Sequence, residues 1–221
     1  MIDHRSVLNE RSKESIDSLT DLEIVEAVKR GEKKWFTILV RRHQKALLRL
    51  CFRFLREQSL AEDVVQESFI KAYEKLDSFE ARASFKSWLF QIGVNTAKNK
   101  LRSNHDDHAD ISIMPLAIAP VAETSLVYGS VAKLLQQHID ELPFKQKTAL
   151  VLRIYEDLSF KEIAEIMECP YDTAKANYRH AILRLKEELE HDKELGGWSL
   201  AEDGLFTELS AAVDNPMAEA E

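Results

Sequence analysis

Two clusters of side chains in this 221-residue chain have types and spacings that could do chemistry, and in both the chemistry is non-covalent recognition of nucleic acid. In the first, Asn95, Lys98, Asn99 and Arg102 recur at three- and four-residue intervals, which stacks them on one face if the segment is helical. Amides read base edges and cations follow phosphates. With Trp88 beside them, and Phe79 and Arg82 in the preceding loop, the set suits unpaired DNA. The same stripe also fits a solvated polar face over a Trp-containing core, and the spacing leaves both readings open. In the second cluster, Thr173, Lys175, Ala176, Arg179 and His180 take the outward positions of a segment that follows a short turn. Lys175 and Arg179 can reach base edges or phosphates from there. No nucleophile–base pair, metal cluster or phosphate-cradling loop accompanies either set. The expectation is no catalysis, no metal, no cofactor and no small-molecule substrate.

The elements that must carry these residues are helical. Trp35, Phe36, Leu39, Val40, His43, Ala46, Leu47, Leu50, Cys51 and Phe54 advance by threes and fours. So do Ala61, Val64, Val65, Phe69, Ala72, Tyr73 and Leu76, then Phe85, Trp88, Leu89, Ile92 and Thr96, and later Val131, Leu134, Leu135, His138, Ile139 and Leu142. Each run marks one buried face of an amphipathic helix. Thr20…Glu23, Ser59…Glu62 and Ser159…Glu162 each have capping-box spacing. Nothing alternates with a period of two, so the fold class is all-α. In 158–186, a capped short helix with Phe160, Ile163, Ala164 and Met167 inward gives way to Glu168-Cys169-Pro170-Tyr171. A longer helix follows, starting at Asp172-Thr173, with Ala174, Tyr178, Ala181, Ile182 and Leu185 inward. That pattern is a helix-turn-helix, whose second helix enters the major groove. A plain antiparallel helix pair is the competing reading.

Charge is segregated. The formal net charge is −8, yet residues 21–102 hold 17 basic and 11 acidic side chains, while 187–221 hold 1 and 11. A polyanion feels the local patch rather than the average. Residues 103–130 carry no basic side chain, and Pro115 and Pro120 fall in a small-residue run. The sequence therefore predicts a flexible acidic linker over 103–123. His105 and His108, among Asp106, Asp107 and Asp110, have metal-ligand chemistry, but a linker offers no scaffold to orient them. Cys51 and Cys169 are too few for a disulfide framework or a four-thiolate zinc site, and are expected to be free core thiols. No apolar run approaches a membrane span and the start lacks an apolar leader, so a cytoplasmic location is expected.

The segments Ala61–Tyr73, Trp88–Asn99 and Leu158–Met167, in that order and with an acidic stretch between, resemble the extracytoplasmic-function sigma factors of bacterial RNA polymerase, of the sigma-E type. The resemblance covers about 20–188. It implies a region 2 domain over 20–102, the linker, a region 4 helix-turn-helix domain over 124–190 and an acidic extension over 191–221, after a mobile 1–19. It implies that Asp63, Gln66 and Glu67 dock on the clamp coiled coil of the polymerase largest subunit, with the flap as a second polymerase contact. It places the promoter-melting loop on 78–87, next to a helix that contacts the minus-ten element through Asn95, Lys98 and Asn99, with Trp88 as a structural aromatic. The minus-thirty-five element would be read by Lys175, Ala176, Arg179 and His180. An anti-sigma factor, which could hold the chain at the inner membrane, is a further implied partner. The chain departs from the family at Asp172 and Ala174, where Gly and Val are usual. It departs again at Ala176, Asn177 and His180, where Ser, Arg and Arg are common, which implies a weaker or differently specific minus-thirty-five contact.

Two other classes stay open on sequence alone: a stand-alone helix-turn-helix regulator that shifts DNA without polymerase, and a protein-interaction decoy. In the tail, Ser199-Leu200-Ala201-Glu202-Asp203 repeats Ser59–Asp63 letter for letter, and Leu200, Leu205, Phe206, Leu209 and Val213 fall near one helical face. Such an acidic amphipathic segment could fold back on a basic surface, dock a partner, or remain a solubilising tail.

Overall fold

A computed structural model describes residues 19–107 and 134–191, with side chains to 103 in the first stretch and to 188 in the second. All but the last residue of the expected mobile 1–19, most of the expected linker and the tail beyond His191 lie outside the described residues. Among those described there are helices and turns and no strand. The chain divides into two compact units after Ala97, and each is taken by itself.

The first unit contains α1 (Asp21–Lys29), α2 (Phe36–Leu55), α3 (Gln58–Glu74) and the first part of α4 (Phe85–Asp107), within which the boundary falls, with short 3-10 turns at Lys33–Trp35 and Leu76–Ser78. Thr20 caps α1 through the expected reciprocal pair with Glu23. α2 and α3 form an antiparallel hairpin. Arg56 turns the chain in the left-handed region at φ 57°, and Phe36 at the start of α2 meets Phe69 and Tyr73 near the end of α3, with centroids 6.4 and 5.1 Å apart. The expected Ser59…Glu62 box does not form. The helix begins at Gln58, so Ser59 already lies inside its first turn, and its hydroxyl donates to the Glu57 carboxylate at 2.7 Å. Glu62 accepts instead from the Gln58 amide at 2.9 Å.

Helix α4 is the centre of this unit. Leu89, Phe90 and Ala97 are fully buried, and Phe85, Ser87, Val94 and Thr96 nearly so. These positions cover far more of the helix than one stripe. Gly93 explains how α2 lies so close: a β-carbon there would sit 2.6 Å from Leu47 Cδ1. A β-carbon there would require the buried Leu47 side chain to shift. The helix also continues to Asp107, so the polar stretch from 103 begins as helix rather than as linker. Cys51 is buried beside it, and burial pushes its thiol up to about 12.

The second unit has a helix over 134–141, named α5, then α6 (Phe144–Tyr155), α7 (Phe160–Ile166) and α8 (Tyr171–His191). Pro143 separates α5 from α6, as its missing N–H requires. Leu135, Ile139, Leu142, Leu150, Ala181 and Leu185 form the core, with Tyr178 and Ile182 packed against it. Lys147 is buried, but its Nζ meets Asp140 Oδ1 at 2.6 Å, so the ammonium is partnered. Ser159 and Glu162 complete the expected box on α7, a helix of only seven residues. Cys169 is half-buried in the turn rather than placed in the core, because that turn lies at the surface.

Candidate polymerase and promoter-DNA surfaces

On α3, burial of Ala61, Val64, Ser68, Phe69 and Ala72 turns the opposite face outward. Asp63, Gln66 and Glu67 are all exposed there, as the sequence anticipates. The same face carries Ile70, which is 59% exposed, with Tyr73 at its edge. An exposed isoleucine inside an acidic rim has the anatomy of a protein-docking patch. Glu67 is held by Lys71 at 2.6 Å, and Lys71 also donates to Thr96 Oγ1 at 3.2 Å, which ties α3 to α4.

The loop between α3 and α4 is fixed at both ends. Lys29 Nζ donates to the Phe79 carbonyl at 2.7 Å. Ser84 Oγ accepts from the Ser87 N–H at 3.0 Å and so caps α4. Between them Ala81 adopts φ 55°, uncommon for a residue with a side chain. The result is a surface recess of about 440 Å³ lined by Asp21, Leu22, Phe79, Ala81, Arg82, Ala83, Ser84 and Phe85. That volume lies within the roughly 300–1,000 Å³ of small-ligand clefts. Small Ala81 and Ala83 leave the space, Phe79 and Phe85 supply apolar walls, and Arg82, whose side chain is 86% exposed, stands at the rim with Glu80 at 2.7 Å.

The expected residues separate within this geometry. Phe79 and Arg82 meet at the recess. Phe79 is only 6% exposed, however, because its ring packs between Phe85 and Trp88, at 6.0 and 5.0 Å. It is a wall, not a projecting aromatic. Trp88 backs that wall and does not line the recess. Asn95, Lys98, Asn99 and Arg102 are all exposed along α4, beyond the recess.

Asp21 and Leu22 also line the recess, and no local pattern in the sequence marks them, since they lie some sixty residues from the loop. Asp21 accepts from Arg42 at 2.9 Å and from His43 Nε2 at 2.6 Å, and the His43 ring lies 5.5 Å from that of Phe85. The His43 hydrogen bond, opposed by partial burial and reinforced by Arg42, holds the Asp21 carboxyl below its ordinary 3.8. A depressed folded value gives stability that is fully present above the ordinary value and is lost as pH falls through the folded one. Asp21→Asn should therefore be less stable than the natural chain at pH 5, with the gap closing as pH falls below the ordinary carboxyl value. Urea unfolding midpoints across that range measure it.

In the second unit, α7 and α8 meet across Met167–Pro170. Glu168 turns left-handed at φ 50°, and the Cys169 N–H closes on the Ala164 carbonyl at 3.0 Å. The long helix starts at Tyr171, one residue before the expected Asp172, because the Pro170 carbonyl accepts from the Thr173 and Ala174 N–H groups at 3.0 and 3.1 Å. Phe160 is clasped edge-on by Tyr171 and Tyr178, at 6.4 and 5.4 Å, with Arg153 over its ring at 5.5 Å. Partial burial raises the Tyr178 hydroxyl, against the pull of Arg153. Ala164 and Ala174 keep the helices close. Thr173, Lys175, Ala176, Arg179 and His180 are exposed together. Lys175 and Arg179 are the lysine and the arginine of this set.

Among the described residues no group of His, Cys, Asp and Glu could hold a metal, and no helix is long and apolar enough to cross a membrane.

The Sigma-70 region 2 family matches residues 39–106, and the Sigma-70, region 4 family matches 132–185. The chain is 36% identical over 187 residues to the ECF RNA polymerase sigma-E factor of Haemophilus influenzae, covering 79% of this chain and 96% of that protein. It is 34% identical to the RNA polymerase sigma-H factor of Pseudomonas aeruginosa, covering 77% and 92%. Among solved structures it is similar to the sigma factor RpoE bound to the anti-sigma factor NepR from Bartonella quintana, with TM-score 0.56 and 28% identity over 72% of this chain and 98% of that one. The fold is also that of CnrH in complex with the cytosolic domain of CnrY, with TM-score 0.59, 22% identity and coverage of 78% and 98%. Two regional matches in order, each on its own helical unit, and a relative matched almost end to end lead to one assignment: the chain belongs to the extracytoplasmic-function sigma factors of RNA polymerase.

Proposed function

We propose that this chain binds core RNA polymerase and directs it to promoters, where it recognises two DNA elements and helps open the strands. It is an initiation factor and catalyses no reaction itself. The observation that carries this is the order of the two regional matches, each on a unit with its own exposed stripe suited to its target. The acidic α3 face with Ile70 fits a basic docking surface on the polymerase. The recess fits one unstacked base of the minus-ten element, with Arg82 near its phosphate, and the exposed α4 amides and cations fit the neighbouring nucleotides. The α8 stripe fits the major groove of the minus-thirty-five element. A stand-alone regulator would leave the region 2 match without a role.

We further place the chain in the cytoplasm, with an anti-sigma factor as its negative partner, in keeping with the similar RpoE bound to the anti-sigma factor NepR. Permanganate reactivity of promoter thymines tests the central step. Core polymerase with this chain should open a cognate promoter around the minus-ten element, and neither component alone should. An unopened promoter with competent core enzyme contradicts the proposal. Lys175→Ala and Arg179→Ala should each weaken binding to the upstream element by about 1–3 kcal/mol where the side chain makes a base contact, and by less, with a shallower salt slope, where it meets phosphate. Titrations of the holoenzyme at several salt concentrations separate these.

A further inference from the structure

The DNA-facing side of α8 carries a residue that DNA does not need. Leu183 is 45% exposed. At i, i+4 and i+8, Lys175, Arg179 and Leu183 form one row, and exposed Ala176 beside it keeps the surface open. An exposed leucine continuing a cationic row suits a ligand that is both anionic and apolar.

The chain supplies such a ligand in its own sequence. Residues 192–221 hold 8 acidic and 1 basic side chains, interleaved with Trp198, Leu200, Leu205, Phe206 and Leu209. They follow directly from α8, which ends at His191. Lys175 lies 16 residues back along the helix, about 24 Å at 1.5 Å per residue. The seven residues from His191 to Trp198 span about 23 Å when extended. The apolar part of the segment therefore begins where it can lie against Leu183, Arg179 and Lys175. Attachment to the same helix gives it a high effective concentration at that face.

We propose that residues 192–221 dock on the Lys175–Arg179–Leu183 row and occlude the face that reads the minus-thirty-five element until polymerase and promoter displace them. This rests on the assignment of that face to DNA. If the docked form holds nine-tenths of the free chain, apparent DNA affinity falls about tenfold.

The test uses fluorescence anisotropy with a minus-thirty-five duplex and the free chain. It compares the natural chain, a chain stopped after His191, and a full-length variant with Leu200→Ser, Leu205→Ser and Phe206→Ser, which keeps every charge. The shortened chain and the serine variant should both bind about tenfold more tightly than the natural chain. Leu183→Ser should reproduce the gain in the full chain and add nothing in the shortened one. If the serine variant binds like the natural chain while the shortened one tightens, diffuse charge repulsion is the cause and the proposal is overturned.

Amide chemical shifts over 175–183, measured without DNA, read docking independently of DNA recognition. They should differ between the full and shortened chains at any protein concentration. Identical shifts overturn the proposal, and so does a difference that grows with concentration, which would assign the contact to a second copy. Should the shortened chain fail to bind the duplex while those shifts still differ, docking stands and the DNA assignment of the face fails instead.

Discussion

Replacing Asp63 and Glu67 together by lysine should lower the affinity of this chain for core RNA polymerase by about a thousandfold, roughly 4 kcal/mol. Both side chains are exposed on α3, away from its buried face, so the fold gains no clash from the change. Glu67 loses its pair with Lys71, but exposed pairs of this kind contribute about 0–1 kcal/mol. The larger effect comes from setting like charges against a basic partner while Ile70 is still brought into contact. Sedimentation or bead-capture titration with core enzyme measures it, and circular dichroism verifies the helices. Loss of no more than a few-fold in affinity would remove this face from the docking surface.

Phe90→Ala should destabilise the first unit by about 3–5 kcal/mol, the range for an aromatic removed from a fully buried site. For a unit of this size each kcal/mol is about 4–8 °C of melting temperature, so a fall of about 12 °C or more is expected. Phe90 touches neither DNA nor polymerase in the present account. It matters because α4 carries the recess wall at one end and the exposed amide and cation stripe further along. The variant should lose polymerase binding and minus-ten recognition together as the first unit melts, while the helix-turn-helix unit keeps its own melting transition. Two transitions followed by circular dichroism, only one of them displaced, would display this.

Periodicity made the helices legible because burial in a small helical unit selects residues by face. The α2 run and the α7–α8 pattern appear in the structure nearly as spaced. α4 was harder because Leu89, Phe90, Val94, Thr96 and Ala97 are buried on more than one side, and a single-stripe reading sees only half of a central helix. Its extension to Asp107 is also invisible to apolar spacing, since Ser103 to Asp107 offer no apolar face. The Ser59 cap failed for a local reason: after the left-handed turn at Arg56 the helix starts at Gln58, two residues earlier than a Ser59 cap would start it, which turns a capping hydroxyl into a first-turn one. At the recess, composition identified the loop but not its far wall. Asp21 and Leu22 arrive there through the Arg42 and His43 contacts, which only the tertiary fold reveals. Likewise Phe79 has the right type and the right place, and the aromatic packing with Phe85 and Trp88 decides that it lines the space instead of projecting from it.

Association of the purified full-length chain with purified core RNA polymerase is the most direct measurement. A stoichiometric complex that survives gel filtration, and that competes with the polymerase's principal sigma factor, is the result expected here. A chain that remains unbound, alongside core enzyme that accepts another sigma factor in the same experiment, would contradict the account.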